Sequence, residues 1–335
     1  VAAQSWVFIP ENWSGEVVFR YGINGSVNNN NVARYSDLNN QHLRILGLGQ
    51  SSDVLFLSAL TSQSKINMTQ TAKMDVFQNG AELNYERNVV KSESGIYEDI
   101  IVHCEKLEPI KLEKSVTVYT SRDLAISDPK TEAMDKQSRL NFSELFKYHK
   151  IAWQKIWHSN DIEIDTGNED QLILRLHIFH LLQTVSPNSI SLDAGVPSRG
   201  WHGAAYRGHI FWDELYVFPF LNLHMPQISR AMLLYRYRRI REARYAAKLA
   251  GYKGAMFPWQ SGSNGREESQ KIHLNPKSGN WIPDNSHQQR HINSAIAYNV
   301  WQYYQCTDDM EFLTTYGAEM ILDIAMFWAS ITSFN

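Results

Sequence analysis

The sequence predicts an α+β protein whose two structural types are segregated along the chain: an antiparallel β sandwich, then a helical linker, then amphipathic helices in series. Three observations predict it. Residues 1 to about 120 alternate apolar and polar positions in short runs broken by Gly and Asn; the spacing turns helical between about 130 and 165; and after residue 168 apolar positions recur every three or four residues over long segments. The boundaries read from these changes are a sandwich over 1–128, a linker over 129–165 and a helical domain over 166–335.

The strand-like runs are GEVVFRYGING, HLRILGLG, DVLFLSALT, KINMTQTAKM and LEKSVTVYTS. GSVNNNNVARY, residues 25–35, reads as a polar solvated loop. In the linker, Leu145, Tyr148, Ala152 and Ile156 recur at helical spacing. QLILRLHIFHLLQTV follows as a helix with Leu172, Leu176 and Phe179 on one face. Residues 226–250 read as a single helix, opened by Pro226 and stopped by Gly251, with Leu233, Tyr237, Ile240, Ala243, Ala247 and Ala250 aligned. Helices over 286–306 and 308–330 complete the series; in the last, Leu313, Tyr316, Met320, Ile324 and Phe327 share a side. Antiparallel helices in series can close into an α/α barrel. The long connections over about 190–210 and 252–285 are where ligand chemistry tends to gather.

A chain of 335 residues is long enough for about two domains. Its net charge of −3 gives no reason to expect a polyanion, and its apolar runs are too short for a bilayer, so neither nucleic acid nor membrane is expected as a partner. RAMLLYRYRRIREARYAAK is basic, yet its charges lie around an amphipathic helix and read as a solvated face. Cys104 and Cys306 lack metal or redox spacing and read as core thiols. VAAQSWVFIPENW lacks the basic start and long apolar segment of a signal peptide, which says little if the chain is a fragment; a soluble protein is expected, with the cytoplasm and the periplasm both left open. Sequons at Asn12, Asn24, Asn67 and Asn141 carry meaning only in a secreted eukaryotic setting. Glycine-containing GSNGREES and GLGQ lack the remainder of a phosphate-binding loop.

The candidate site is centred on WHGAAYRGHIFWDELYVFPF, where Trp212, Asp213 and Glu214 interrupt an apolar run. A carboxylate in such a run must be paired, hydrogen-bonded or turned toward a polar cavity. Around it gather Arg199, His202, Tyr206, Arg207 and His209, then Trp259 and Gln260, then Trp281 and Asp284. Indole faces pack on sugar C–H surfaces, and acids and amides pair with adjacent hydroxyls, so this set suits a carbohydrate. The same residues also allow a plain reading, in which Arg207 pairs with Asp213 and the tryptophans fill the core. His287 and His291 stand four apart as zinc ligands can, but without an intervening Glu they read as surface histidines, and no metal is expected. Glu267 and Glu268 read as solvated loop acids rather than acid/base groups.

SRGWHGAAYRGHIFWDE, PQISRAMLLYRYRRIREARYAAKLAGYKGAMFPW and WSGEVVFRYGINGSVNNNNVARY resemble glycoside hydrolase family 65, which holds maltose, trehalose and kojibiose phosphorylases and related hydrolases. The resemblance covers almost the whole chain. It implies an N-terminal β sandwich, a linker and the first half of an (α/α)6 barrel that cleaves an α-glucosidic bond in an α-linked glucose disaccharide with inversion. In that comparison Trp212 and Asp213 match the element that holds the non-reducing glucosyl unit, and Trp259 the element that meets its neighbour; Tyr206, Arg207 and Gln260 stand beside them. Gln260 replaces the Glu usual in phosphorylases, which favours a hydrolase acting on a kojibiose-like α-1,2 substrate. The alternatives are a phosphorylase releasing β-glucose 1-phosphate and a non-catalytic or partner-dependent glucoside-binding piece. No cofactor is implied beyond inorganic phosphate as co-substrate of a phosphorylase.

The resemblance also implies a fragment lacking both ends, with no catalytic residue within the chain: the family's general-acid glutamate is expected beyond Asn335. Such a chain is expected to be inactive alone, to take the rest of its barrel from elsewhere, on a separate chain if need be, and to be compatible with a homodimer.

Overall fold

The structure, a computed structural model, describes residues 1–30, 32–36, 38–165, 167–200 and 205–332. It divides into two compact units, one of residues 1–29 and 38–156 and the other of residues 30–37 and 157–335.

The first unit is a β sandwich of β1 (Ala2–Phe8), β2 (Gly15–Asn24), β3 (Leu43–Ser51), β4 (Val54–Thr61), β5 (Asn67–Gln78), β6 (Ala81–Glu82), β7 (Glu86–Lys91), β8 (Gly95–Cys104) and β9 (Ile110–Thr120). One sheet runs β1-β9-β5-β4-β3 with β6 on β5, and the other runs β2-β8-β7. Every pairing is antiparallel. Alternate residues point inward, so Phe19, Tyr21 and Ile23 of β2 and Ile96, Ile100 and Val102 of β8 share a core with Leu55, Leu57, Met74, Val76, Ile110 and Leu112.

Strand β8 is absent from the sequence-predicted runs because Glu98 occupies a core-facing position between Ile96 and Ile100. That buried acid is satisfied: it accepts from the Tyr21 hydroxyl at 2.7 Å and from Arg87 Nη1 at 3.0 Å. Helix α1 (Pro129–Ser138) is capped by Asp128, which accepts from the Thr131 amide at 2.7 Å. It seats Ala133 and Gln137 against Thr71 and Thr117 of the sheet. Helix α2 spans Phe142–Asn160.

The second unit is helical, with α3 (Asn168–Thr184), α4 (Glu214–His224), α5 (Pro226–Tyr237), α6 (Ile240–Leu249), α7 (His291–Thr307), the single turn α8 (Met310–Phe312) and α9 (Ala318–Ile331). A small hairpin of β10 (Ile272–Leu274) and β11 (Trp281–Pro283) interrupts the second long connection. Helix α4 packs on α5 and α7, and α7 on α9. The predicted face of the last helix is kept through a π turn at Leu313–Gly317, with Met320, Ile324 and Phe327 buried.

Four expectations are corrected. The predicted single helix over 226–250 breaks at Arg238 and Arg239, where the Arg239 backbone leaves helical dihedrals and its guanidinium bonds Asp193 and the carbonyl of Ser263. On α3 two residues of the predicted face are exposed, Leu172 at 69 % and Leu176 at 49 %, and the third, Phe179, is half-buried, while Ile178 and Leu182 are buried. Apolar residues are scattered round that helix among polar ones, so its period could not select a face. Cys104 is buried as expected, but Cys306 is exposed. In the loop read as solvated, Tyr35 is buried in a 3-10 turn, Ala33–Tyr35.

Candidate active site

Three loop segments of the second unit are knitted together by isolated β bridges: Pro197 with Ile210, Ile210 with Ser261, and Ser261 with Glu267. Side chains from these segments and from the start of α7 form a row of rings. Tyr206 meets Phe211 edge-on at 5.3 Å, Phe211 meets Trp259 at 5.7 Å, and Trp259 lies nearly parallel to Trp212, with centroids 6.4 Å apart and planes inclined by 29°. His291 touches both indoles, at 5.2 and 4.7 Å. Near-parallel indoles leave flat apolar faces of the kind that accept the C–H side of a polar ring.

Asp213 stands at the N-cap of α4 but caps no backbone amide with its side chain. Its carboxylate's only hydrogen bond among the described residues comes from Ser198 Oγ, a long one at 3.5 Å, and it has no ion-pair partner there. A half-buried carboxylate with spare acceptor capacity, at the positive end of a helix, is fitted to accept from an outside hydroxyl.

Glu214 has the opposite surroundings. Its carboxylate accepts from Arg236 Nη2 at 3.0 Å and from the Val196 amide at 3.3 Å, and burial pushes it above the usual carboxylate range despite the arginine. Gly195 allows this approach, since a Cβ there would lie 2.2 Å from Glu214 Oε1. Glu267 is likewise committed: it accepts from the amides of Trp259 (2.7 Å), Gln260 (3.1 Å) and Ser269 (3.1 Å) and from Ser269 Oγ (2.7 Å), fixing the loop that carries Trp259. Gln260 is 8 % exposed, and its side-chain amide donates to His209 Nδ1 at 2.8 Å. Burial, and then the charge of Arg207, lowers His209 to about 4, so the ring is neutral at pH 7 and can accept that bond.

Residues 1–156 match the N-terminal domain of glycosyl hydrolase family 65, and residues 175–335 match its central catalytic domain. The chain belongs to glycosyl hydrolase family 65. It is 44 % identical over 330 residues to an uncharacterized glycosyl hydrolase of Mycobacterium tuberculosis, covering 97 % of this chain and 25 % of that protein. It is 34 % identical over 343 residues to a kojibiose phosphorylase of Halothermothrix orenii (98 % and 42 %) and 36 % identical over 306 residues to a trehalose 6-phosphate phosphorylase of Lactococcus lactis (91 % and 38 %). The chain therefore spans about a quarter to two fifths of the length of these relatives. In fold it is similar to a solved structure of a candidate kojibiose phosphorylase from the human microbiome, with TM-score 0.77 and 18 % identity, covering 99 % of this chain and 41 % of that one.

Within this family 65 chain the predicted site residues divide. Tyr206, Trp212, Asp213 and Trp259 lie in or beside the ring row, and Gln260 is directed inward to His209. Arg207 is not paired with Asp213; it donates to the Glu268 carbonyl, and the plain reading of an Arg207–Asp213 pair is corrected. The buried pair is Glu214 with Arg236. Glu267 is a loop-fixing acceptor rather than a solvated acid. Trp281 is exposed on β11, Asp284 is engaged by Ser286, and Arg199 is exposed; no contact joins them to the row among the described residues. His202 lies outside the described residues.

His291 belongs to the row rather than to a pair with His287, and no metal-binding group occurs among the described residues. Phe211 is not marked as a site residue by the sequence, and His291 and Tyr35, expected as a surface histidine and as part of a solvated loop, are found at the row. Phe211 shows only as one more apolar residue, and His291 and Tyr35 meet the site by long-range folding alone. No helix among the described residues is long and apolar enough to cross a membrane.

Proposed function

We propose that this chain carries the glucose-recognition part of an enzyme that cleaves an α-linked glucose disaccharide with inversion, passing the glucosyl unit to inorganic phosphate. The observation that carries the recognition reading is the pair of near-parallel indoles, Trp212 and Trp259, beside Asp213, a carboxylate with spare acceptor capacity. In this reading Trp212 and Asp213 hold the non-reducing glucosyl unit and Trp259 its neighbour. Tyr206 and Arg207 border the far end of the row. Neither Glu214 nor Glu267 serves as the acid that protonates the glycosidic oxygen, because Arg236 and the loop amides already occupy them. The similarity to kojibiose and trehalose 6-phosphate phosphorylases supports phosphate as the nucleophile.

Hydrolysis is the second reading, favoured by Gln260 at a position where phosphorylases carry Glu. Its weight is reduced because the Gln260 side chain answers to His209 inside the loop. The test is an assay of the complete gene product on kojibiose, maltose and trehalose with and without phosphate. Phosphate-dependent formation of β-glucose 1-phosphate is expected. Glucose release indifferent to phosphate would transfer the assignment to water, and sugar binding without turnover would leave a non-catalytic binding role.

A further inference from the structure

We propose that Arg34 and Arg207 form an oxyanion subsite that takes a phosphate group, either free or carried on a sugar. The Arg34 guanidinium carbon lies 5.0 Å from the Tyr35 ring centroid and 4.9 Å from that of Tyr206, and the Arg207 guanidinium carbon lies 5.8 Å from the same Tyr35 ring. Tyr35 is itself fixed, buried with its hydroxyl accepting from the Tyr206 amide at 2.9 Å. One ring thus gathers two cations. Elsewhere in this unit Arg175, Arg230, Arg236, Arg238, Arg239 and Arg244 are each paired with an acid. Arg34 and Arg207 have no acid partner among the described residues. The Nε atoms of both are sealed from solvent without a hydrogen-bond partner, and Arg207 spends only its Nη2 on the Glu268 carbonyl.

Two guanidiniums set against one ring without a counter-charge leave positive charge unbalanced, and an oxyanion that reached both would balance it while filling free N–H donors of their forks. A phosphate group, near −2 at neutral pH, balances two arginines where a carboxylate balances one. The backbone at this point is also held in place: Tyr206, Arg207 and Gly208 have successive φ values of 61°, 57° and 67°. For the two residues with side chains such dihedrals persist only where the surroundings enforce them. The Tyr35 hydroxyl and the Glu268 carbonyl do so here. Because Tyr206 continues through Phe211 to Trp259, the cations stand at the end of the ring row away from Trp212. The sugar-phosphate form of the proposal rests on the sugar-binding reading above; binding of inorganic phosphate does not.

The test is calorimetric titration of the protein at low salt with inorganic phosphate, glucose, glucose 6-phosphate and glucuronate. Glucose 6-phosphate should bind at least about tenfold more tightly than glucose and than glucuronate, with the advantage shrinking as salt rises. Arg34→Gln should reduce that advantage at least about fivefold, and Arg207→Lys, which keeps the charge but not the fork, should reduce it less. The advantage is read as a ratio in each folded variant, with Arg34→Lys replacing Arg34→Gln if the latter does not fold. Equal affinity for glucose and glucose 6-phosphate together with no phosphate binding at millimolar concentration overturns the subsite, as does an undiminished advantage in the Arg34 variant. Phosphate binding that depends on Arg34, with no glucose binding, upholds the subsite and sinks the sugar reading instead.

Discussion

The Glu214 carboxylate and the Arg236 guanidinium meet at 3.0 Å with their side chains 4 % and 2 % exposed. Arg236 also donates to the Phe211 carbonyl, so this one pair ties the residue before Trp212, the first turn of α4 and the last turn of α5 together. The acid next to Asp213 in sequence is therefore a structural member of the site. Its neighbour faces the opposite chemical demand.

Removing one side of that pair leaves a charge buried without a counter-charge. Arg236 already has Nε and Nη1 unpartnered, so it has little means of compensation. Glu214→Gln is expected to destabilise the protein by about 3–5 kcal/mol. Urea unfolding checks it; a midpoint equal to that of the wild type would show that Arg236 needs no anion.

Substitution of the indoles should act on binding rather than on folding. Trp212→Ala and Trp259→Ala are each expected to weaken disaccharide binding by roughly 2- to 10-fold, the range of one lost aromatic contact. Asp213→Asn should weaken it comparably through loss of a charge-assisted acceptor. Fluorescence titration with kojibiose reads these changes, and thermal melts of the same variants separate them from unfolding.

Glu267 offers a sharper choice between roles. As the acceptor of the Trp259, Gln260 and Ser269 amides it should matter to loop order, so Glu267→Ala is expected to cost about 2 kcal/mol or more and to weaken sugar binding. Glu267→Gln keeps part of the acceptor set. In the complete gene product it should keep most of the turnover, and a collapse of turnover with stability intact would mean that Glu267 handles protons after all.

His209 sets a pH dependence whose sign follows from its lowered value of about 4 against an ordinary 6.5. Between those values the unfolded chain binds a proton that the folded chain refuses, so stability falls as pH drops through that window and the loss is complete below about 4. The full shift would amount to at most about 3 kcal/mol, and partial solvent access reduces it. Stability measured from pH 7 to pH 4 should lose this slope in His209→Gln. An unchanged slope in the variant would assign the effect to other groups.

Much of the fold was legible because its cause is local. Alternation in GEVVFRYGING, Pro226 at the start of a helix, Gly251 after one, and the face of Met320, Ile324 and Phe327 are each written within a few residues. Where the local signal was scattered or overruled it failed: α3 mixes apolar and polar residues on nearly every side, Glu98 breaks the alternation of β8 to meet Tyr21 and Arg87, and Arg239 leaves its helix to reach Ser263. The sequence by itself determined the succession of sheet and helix, the residue types of a carbohydrate site and the membership of family 65. Only the tertiary structure decided which acids are free. That Asp213 keeps spare acceptor capacity while Glu214 and Glu267 are occupied, and that Arg34 comes to lie against Tyr206, depends on partners up to 172 residues away in the chain, whose approach no local periodicity encodes.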